Sequence, residues 1–203
     1  MIPRPHNRLI VICGAVIFAV TAAVSMSAAA RQTTPPARSA PPTAPPPAAL
    51  ATLLLDTAKG PIEIELYRDD APKSVDHILA LVRRGFYRGL RFHRVEPSLV
   101  QFGDPLTRNM TYRDGWGTGG SGQPIGVAEI SKRHLNVRGA VGLAYAGRPL
   151  DADSQLYILK IASPSLDGKY AVIGHVTSGM AVVDRLEVAD LLKLMSVKGE
   201  AVK

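Results

Sequence analysis

The chain has 203 residues, of which 46% are hydrophobic and 20% are charged, and its formal net charge is +7. This length and composition are typical of one folded domain with additional segments, and they exclude a chain too polar to bury a core. The basic residues are scattered rather than clustered, which argues against a nucleic-acid-binding protein. The five histidines share no metal-ligand spacing, so we expect no metal site and no other cofactor.

Residues 1–30 have the pattern of an export signal. Arg4 and Arg8 precede an uncharged run that ends in Ala28-Ala29-Ala30, whose small residues suit cleavage. The alternative is an uncleaved membrane anchor, because residues 9–30 are about as long as a bilayer-spanning helix. We favour cleavage after Ala30, since the second half of the run is only weakly apolar. The remaining chain would then be periplasmic or otherwise extracytoplasmic; in the alternative it would be membrane-anchored and face the periplasm.

Residues 31–50 form a proline- and alanine-rich segment with seven prolines and no acidic residue. Such a composition cannot bury a core, so we expect a disordered linker here and a folded domain over residues 51–203. The single cysteine, Cys13, lies within the export signal. A cleaved chain would therefore contain no cysteine, which suits an oxidising compartment and excludes a disulfide scaffold.

The predicted elements of the folded domain are mainly β-strands. Thr52–Thr57 and Pro61–Tyr67 predict a hairpin, because apolar and polar residues alternate in the second segment. Asp69-Asp70-Ala71-Pro72 predicts the start of a helix with an aspartate cap, ending near Gly85. Many short strands with two helices favour an antiparallel barrel or sandwich. The remaining predicted strands are Phe92–Val95, Leu99–Phe102, Ala140–Tyr145, Gln155–Ile161, Ala171–Val176 and Leu191–Val197, and the second helix is Met180–Val188.

Several strings occur in an order typical of one family: TAKGPIEIELYRDDAPKSVDHILALVRRGFYRGLRFHRV, QFGDP, a glycine-rich loop, DSQLYI and LDGKYAVIGHVTSGMAVVD. Over about residues 51–197 the chain resembles the cyclophilin-type peptidyl-prolyl cis/trans isomerases. The most specific part is Phe92-His93-Arg94-Val95 followed by Gln101 and Gly103-Asp104. The resemblance implies a mainly β fold, a closed eight-stranded antiparallel β-barrel capped by two α-helices. The glycine-rich stretch 115–122 lacks the Gly-Lys-Ser/Thr ending of a phosphate-binding loop and is expected near the substrate groove.

The implied reaction rotates the peptide bond before a proline and breaks no covalent bond, so it requires neither a nucleophile nor a metal. A donor aimed at the prolyl nitrogen favours the twisted transition state over the planar ground state, and a guanidinium presents such donors in a rigid fork. The resemblance assigns this role to Arg94. It assigns to Gln101 a hydrogen bond to the substrate backbone. The alternatives are an ion-paired surface arginine at Arg94 and a solvated strand residue at Gln101, and we favour the functional interpretation of both.

The resemblance also predicts a proline pocket beside the two catalytic residues, although any of its members could simply be core residues. Ala144 and Tyr145 are expected alongside the substrate backbone. Phe92 and His93 are included because of their place in the motif, but we expect His93 to pack locally rather than to take part in catalysis. The predicted substrate-binding residues are Phe92, His93, Leu99, Val100, Ala144, Tyr145, Tyr157, Leu166 and Tyr170.

The pocket region departs from the family pattern. Only Ser98-Leu99-Val100 separate Pro97 from Gln101, one residue fewer than usual and without the usual aromatic residue. Either Leu99 or Val100 must therefore cover one wall of the pocket. Ser165 replaces a frequent tryptophan, which weakens the expectation of cyclosporin binding more than that of isomerisation.

We therefore predict a peptidyl-prolyl cis/trans isomerase that assists the folding of exported proteins. The alternative is a proline-binding or chaperone-like module with weak or no isomerase activity. The expected partners are proline-containing unfolded or loop segments of client proteins, with at most weak binding of cyclosporin. We expect no nucleic-acid partner, contact with a membrane only through an uncleaved N-terminal segment, and a monomer.

Overall fold

The computed structural model describes residues 51–201; the predicted export signal and linker lie outside this range. Neither helix of the described chain is long and apolar enough to cross a membrane. The strands are β1 (Thr52–Thr57), β2 (Gly60–Leu66), β3 (Leu90–Arg91), β4 (Arg94–Val95), β5 (Leu99–Phe102), β6 (Ala140–Leu143), β7 (Leu156–Leu159), β8 (Val172–Ser178) and β9 (Leu191–Val197). The α-helices are α1 (Pro72–Arg83) and α2 (Met180–Arg185), and short 3₁₀ turns cover Pro105–Arg108, Arg113–Gly115, Pro149–Asp151 and Pro164–Leu166.

The strands form one antiparallel sheet in the order β3-β9-β1-β2-β8-β6-β7-β5-β4. Its two ends, β3 and β4, are separated along the chain only by Phe92 and His93. The Phe92 amide donates to the carbonyl of Asp190 beside β9, whereas the His93 amide donates to the carbonyl of Gln101 in β5. One chain segment thus joins both ends of the curled sheet.

This segment differs from the predicted closed barrel of eight strands. A continuous strand was predicted over Phe92–Val95, but the chain forms two strands of two residues each, which pair with different neighbours. The sheet therefore has nine strands among residues 51–201. The connection between its ends is the chain itself rather than a ladder of hydrogen bonds.

A single large apolar cluster fills the interior of the curled sheet. In β2, Ile62, Ile64 and Leu66 are buried and alternate with more exposed residues, as expected for a strand with one face towards a core. Helix α1 buries its apolar face over β9, and α2 packs against β2. These elements hold β4, β5 and β7 in place, and the candidate site lies on the outer face of those three strands.

The start of α1 differs from the prediction of an aspartate cap. Its N-cap is Ala71, which has no capping side chain. The carboxylate of Glu129, from a distant loop, accepts hydrogen bonds from the amides of Lys73 and Ser74 at 3.1 and 2.7 Å. Asp70 instead bonds to Arg133 and His134 in that loop. The free amides of the first helical turn are therefore satisfied from outside the helix.

Candidate active site

Arg94 and Gln101 face each other across the β4–β5 pair. They are directly paired in the register of these strands, so their side chains project on the same side of the sheet. Arg94 Nη1 donates to Gln101 Oε1 at 3.5 Å, and Arg94 Nε donates to Glu96 Oε1 at 2.8 Å. The Arg94 side chain is 50% exposed. Its guanidinium is therefore oriented by two neighbours and open to solvent.

The alternation of β5 decides which residue covers the pocket wall. Leu99 and Gln101 project outwards, whereas Val100 and Phe102 are fully buried in the core. Leu99 therefore faces the site. Phe92 is also fully buried, with its ring centre 5.2 Å from that of Phe102. Phe92 and Val100, both predicted to contact substrate, belong to the core instead.

A cavity of about 280 Å³ opens beside Arg94, and we call it the proline pocket. The structure brings together here all predicted site residues except Phe92, His93 and Val100. Its volume lies just below the range of about 300–1,000 Å³ typical of sites for drug-sized ligands, which leaves ample room for a proline ring. The lining residues are Arg94, Leu99, Gln101, Ala144, Tyr145, Tyr157, Leu166 and Tyr170.

Tyr157 lies under the proline pocket and is 3% exposed. Its ring crosses Gly142 so closely that a Cβ there would lie 2.2 Å from the Tyr157 hydroxyl oxygen. The hydroxyl donates to Oδ1 of the buried Asn136, whose backbone and side-chain nitrogens both donate to Asp167. Burial raises the pKa of Tyr157 well above its ordinary value, which keeps the hydroxyl protonated. The aromatic floor is thus fixed by a buried polar network.

Two further tyrosines form the rim of the proline pocket. The Tyr145 and Tyr170 rings are stacked with their centres 4.6 Å apart, and Tyr170 lies nearly perpendicular to Tyr157. The Tyr145 hydroxyl donates to the carbonyl oxygen of Lys169. Ser165, which stands where the family often has tryptophan, is exposed. The rim is therefore aromatic, but it contains no indole.

His93 lies outside the proline pocket, beneath the glycine-rich loop. A Cβ at Gly117 would lie 3.4 Å from the His93 ring. Both ring nitrogens are buried, and neither has a hydrogen-bond partner within residues 51–201. Burial lowers the pKa of His93, which favours the neutral imidazole. This placement differs from the predicted contact of His93 with substrate.

A second cavity, of about 590 Å³, continues from the proline pocket. The two cavities share Gln101, Ala144 and Tyr145, and the second is otherwise bordered mainly by the glycine-rich loop 117–122 and residues 151–155. We call this second cavity the loop groove. The two cavities therefore adjoin, so a peptide whose proline lies in the proline pocket could extend into the loop groove.

Gln155 links the two cavities and was not among the predicted functional residues. Its Oε1 accepts from Gln101 Nε2 at 2.8 Å, and its Nε2 donates to the carbonyls of Gly117 and Gly119 at 2.9 and 2.7 Å. Its position two residues before Tyr157 was the available signal, since residues two apart on a strand share a face. Glu96 likewise lies two residues from Arg94, to which it bonds. Asn136 gives no local signal, because it reaches Tyr157 from a distant loop.

The sequence and the fold both match known proteins. Residues 52–199 match the family model for cyclophilin type peptidyl-prolyl cis-trans isomerase/CLD. A probable peptidyl-prolyl cis-trans isomerase of Brucella suis is 43% identical over 142 residues, which cover 67% of this chain and 71% of the relative. Peptidyl-prolyl cis-trans isomerase B of Bacillus subtilis is 37% identical over 139 residues, which cover 68% of this chain and 91% of the relative.

Solved structures support the fold. The crystal structure of a cyclophilin type peptidyl-prolyl cis-trans isomerase of Cryptosporidium parvum has a TM-score of 0.64 at 23% sequence identity, covering 75% of this chain and 99% of that chain. A second crystal structure of that protein, in the presence of the dipeptide Ala-Pro, has a TM-score of 0.63 at 23% identity and covers 73% and 99%. The family match extends over nearly all of the described residues and includes both Arg94 and Gln101. The chain therefore belongs to the cyclophilin-type peptidyl-prolyl cis-trans isomerases, enzymes that interconvert the cis and trans forms of X-Pro peptide bonds.

Proposed function

We propose that this isomerase acts on X-Pro bonds in loops and unfolded segments of exported proteins, with Arg94 as the donor to the prolyl nitrogen. The observation that carries the assignment is the placement of Arg94: a solvent-accessible guanidinium borders a cavity whose other walls are largely leucine and tyrosine side chains. A proline ring in that cavity would bring its nitrogen towards Arg94. The same face offers Gln101 for a hydrogen bond to the substrate backbone.

The proposed chemistry is stabilisation of the twisted amide. In the planar peptide the nitrogen lone pair is delocalised into the carbonyl, whereas in the twisted state it can accept a hydrogen bond. Glu96 accepts from Nε of Arg94, so the terminal nitrogens remain for Gln101 and the substrate. A donor that bonds only to the twisted state lowers the barrier without stabilising the ground state.

The proline pocket has a different energetic role. Burial of a proline ring against Leu99, Tyr157 and Leu166 would contribute on the order of 1.5–3 kcal/mol, as for other apolar side chains. This contribution is nearly the same in the ground and transition states, so it lowers KM rather than raising kcat. An acceleration of about 10⁵-fold needs about 7 kcal/mol. Arg94 and the orientation of the bound peptide must therefore supply most of it.

The exported location is proposed from the sequence alone. Residues 1–30 have the composition of an export signal, and residues 31–203 contain no cysteine. N-terminal sequencing of the protein recovered from outside the cytoplasm should give Arg31 as the first residue. An intact Met1 in the membrane fraction would support the anchored alternative instead.

The catalytic assignment is tested by a protease-coupled isomerisation assay with an Ala-Pro peptide. Arg94→Ala should lower kcat/KM by about 100- to 1,000-fold, the usual effect of removing a transition-state donor, with KM nearly unchanged. Arg83→Ala is the matched control, because Arg83 is also half exposed and ion-paired but lies at the end of α1. Equal rates for Arg94→Ala and the unmodified chain would refute the role of Arg94. Peptide binding without acceleration would support the proline-binding module.

The rim suggests weak cyclosporin binding. Ser165 is exposed and offers no indole N–H donor, and Tyr170 occupies the neighbouring edge of the proline pocket. Inhibition by cyclosporin should therefore require higher concentrations than in Ser165→Trp. Equal inhibition of the two proteins would contradict this proposal.

A further inference from the structure

We propose that Asp153, together with His77, is a positioning residue that holds the glycine-rich loop against Gln155, the hydrogen-bond partner of the catalytic Gln101. It would thereby determine activity towards substrates long enough to enter the loop groove. This inference rests on the isomerase function proposed above. It assigns no step of the reaction to the Asp153 carboxylate itself.

Asp153 receives hydrogen bonds from two different elements. Its Oδ1 accepts from Ser121 Oγ and lies 3.2 Å from His77 Nε2 on α1, while its Oδ2 accepts from the Gly122 amide at 3.0 Å. An ionised carboxylate only accepts hydrogen bonds, so His77 Nε2 carries the proton. The Asp153 side chain is 14% exposed, which limits competition from water. The carboxylate therefore ties the end of the loop to α1.

A second carboxylate holds the beginning of the same loop. Asp104 is fully buried and accepts from the Gly117 amide. A Cβ at Gly119 would lie 2.3 Å from Asp104 Oδ1, and a Cβ at Gly120 would lie 2.6 Å from Asp153 Oδ2. Glycine is thus needed at these two positions because the backbone approaches carboxylate oxygens closely. The loop is anchored at both ends.

The anchored loop in turn fixes Gln155 and, through it, Gln101. Both donor positions of Gln155 Nε2 are used by the carbonyls of Gly117 and Gly119, so this amide cannot reverse without losing both bonds. Its Oε1 therefore stays directed at Gln101 Nε2, and Gln101 Oε1 stays directed at Arg94. Displacement of the loop would loosen this chain of bonds. Asp153 acts on Gln101 through the loop and Gln155.

Substrate length should reveal this role. Asp153 borders the loop groove but not the proline pocket. An Ala-Pro dipeptide needs only the pocket, whereas a peptide with three residues on each side of its X-Pro bond must also contact the loop. A merely structural role would lower the activity towards both substrates in the same proportion. A positioning role would lower the activity towards the longer peptide more strongly.

The test compares Asp153→Asn with the unmodified full chain on both peptides, with isomerisation followed by NMR exchange. An asparagine has one acceptor oxygen and presents its NH₂ group to donors that faced a carboxylate. We expect kcat/KM for the longer peptide to fall about tenfold, the effect of losing one charge-assisted hydrogen bond. The activity towards the dipeptide should fall by a smaller factor, because the dipeptide also depends on Gln101 but does not contact the loop. Asp153→Glu should recover part of the loss.

Asp184→Asn is the control. Asp184 lies on α2 and forms an exposed ion pair with Arg138, so this variant also removes a paired carboxylate. The side-chain amide resonances of Gln101 and Gln155 should shift in Asp153→Asn but not in this control. If Asp153→Asn fails to fold, His77→Ala takes its place, because it removes one tether and leaves the carboxylate. His77→Ala should show a smaller loss with the same preference for the shorter peptide.

The outcomes separate this inference from the isomerase assignment. An unmodified chain that accelerates neither peptide would refute the proposed function itself. An active chain in which Asp153→Asn lowers both activities equally, or leaves the longer peptide unaffected, would overturn the positioning role alone.

Discussion

Replacement of Tyr157 by phenylalanine would remove the hydroxyl beneath the proline pocket while keeping the aromatic ring. The hydroxyl donates to Asn136 Oδ1, and the two residues are 3% and 2% exposed. The hydroxyl oxygen also lies closest to Gly142, but ring atoms remain near that glycine, and the ring contact with Tyr170 does not involve the hydroxyl. The substitution therefore separates the stability of the pocket floor from its capacity to hold a proline.

The expected loss is one of stability. Asn136 keeps its bonds to Asp167, but its Oδ1 would be buried without a donor. Leaving a buried acceptor unsatisfied costs about 1–3 kcal/mol, so Tyr157→Phe should lower the free energy of unfolding by that amount. KM should remain nearly unchanged, because the apolar surface facing the substrate is the same. kcat should also remain unchanged, since the hydroxyl is bonded to Asn136 rather than to Arg94 or Gln101.

Urea unfolding and isomerase kinetics on the same samples would check both expectations. Tyr112→Phe is the control, because Tyr112 is 52% exposed and its loss of a hydroxyl should leave stability unchanged. Combining Tyr157→Phe with Asn136→Ala should give a coupling energy of about 0.5–3 kcal/mol. An unchanged midpoint in Tyr157→Phe would refute the stabilising role of the network. A lower kcat at constant KM would mean that the hydroxyl acts at the reacting amide.

Three further predictions concern the surroundings of Arg94. Gln155→Leu should lower kcat/KM about tenfold because Gln101 loses its partner, and an unchanged rate would remove Gln155 from the network. Glu96→Gln should change kcat/KM less than about fivefold, since an amide oxygen can still accept from Arg94 Nε and exposed ion pairs contribute about 0–1 kcal/mol; a larger loss would show that the charge of Glu96 is needed to fix the Arg94 guanidinium. Because burial lowers the pKa of His93, the unfolded chain binds its proton more readily, so the free energy of unfolding should fall as pH drops below about 6.5. That fall should be smaller in His93→Gln when unfolding is measured from pH 7 to pH 5, and equal slopes would contradict the prediction.

The strands on either side of the site show how far periodicity predicts side-chain placement. In β5 the alternation is regular: Gln101 and Leu99 share the outer face, and Val100 lies in the core. The sequence left open which of Leu99 and Val100 lines the pocket, although a strict period of two would have decided it. The same rule fails between Phe92 and Arg94, which are also two residues apart. The strand breaks between them, so Phe92 faces the core while Arg94 faces solvent.

The connections that hold the site were less predictable, because they join residues far apart in the sequence. Glu129 caps α1 from another loop, Asn136 reaches Tyr157, and Gln155 bonds to the glycine-rich loop. Local patterns predicted the helix and most of the strands, since these depend on neighbouring residues. The same local patterns predicted an aspartate cap for α1, and this prediction was wrong. A side chain that completes a distant hydrogen-bond network carries no periodic signal of its own.

The chemistry of the proposed reaction explains why the hydrogen bonds that position the site residues are important. Isomerisation transfers no proton, so the site needs no group whose pKa lies near neutrality. The pKa shifts of Tyr157, which is raised, and of His93, which is lowered, both favour the neutral form. These two groups beside the site thus carry no charge near neutral pH. The rate should then depend mainly on where Arg94 and Gln101 point, and that geometry is set by Glu96, Gln155 and the anchored glycine-rich loop.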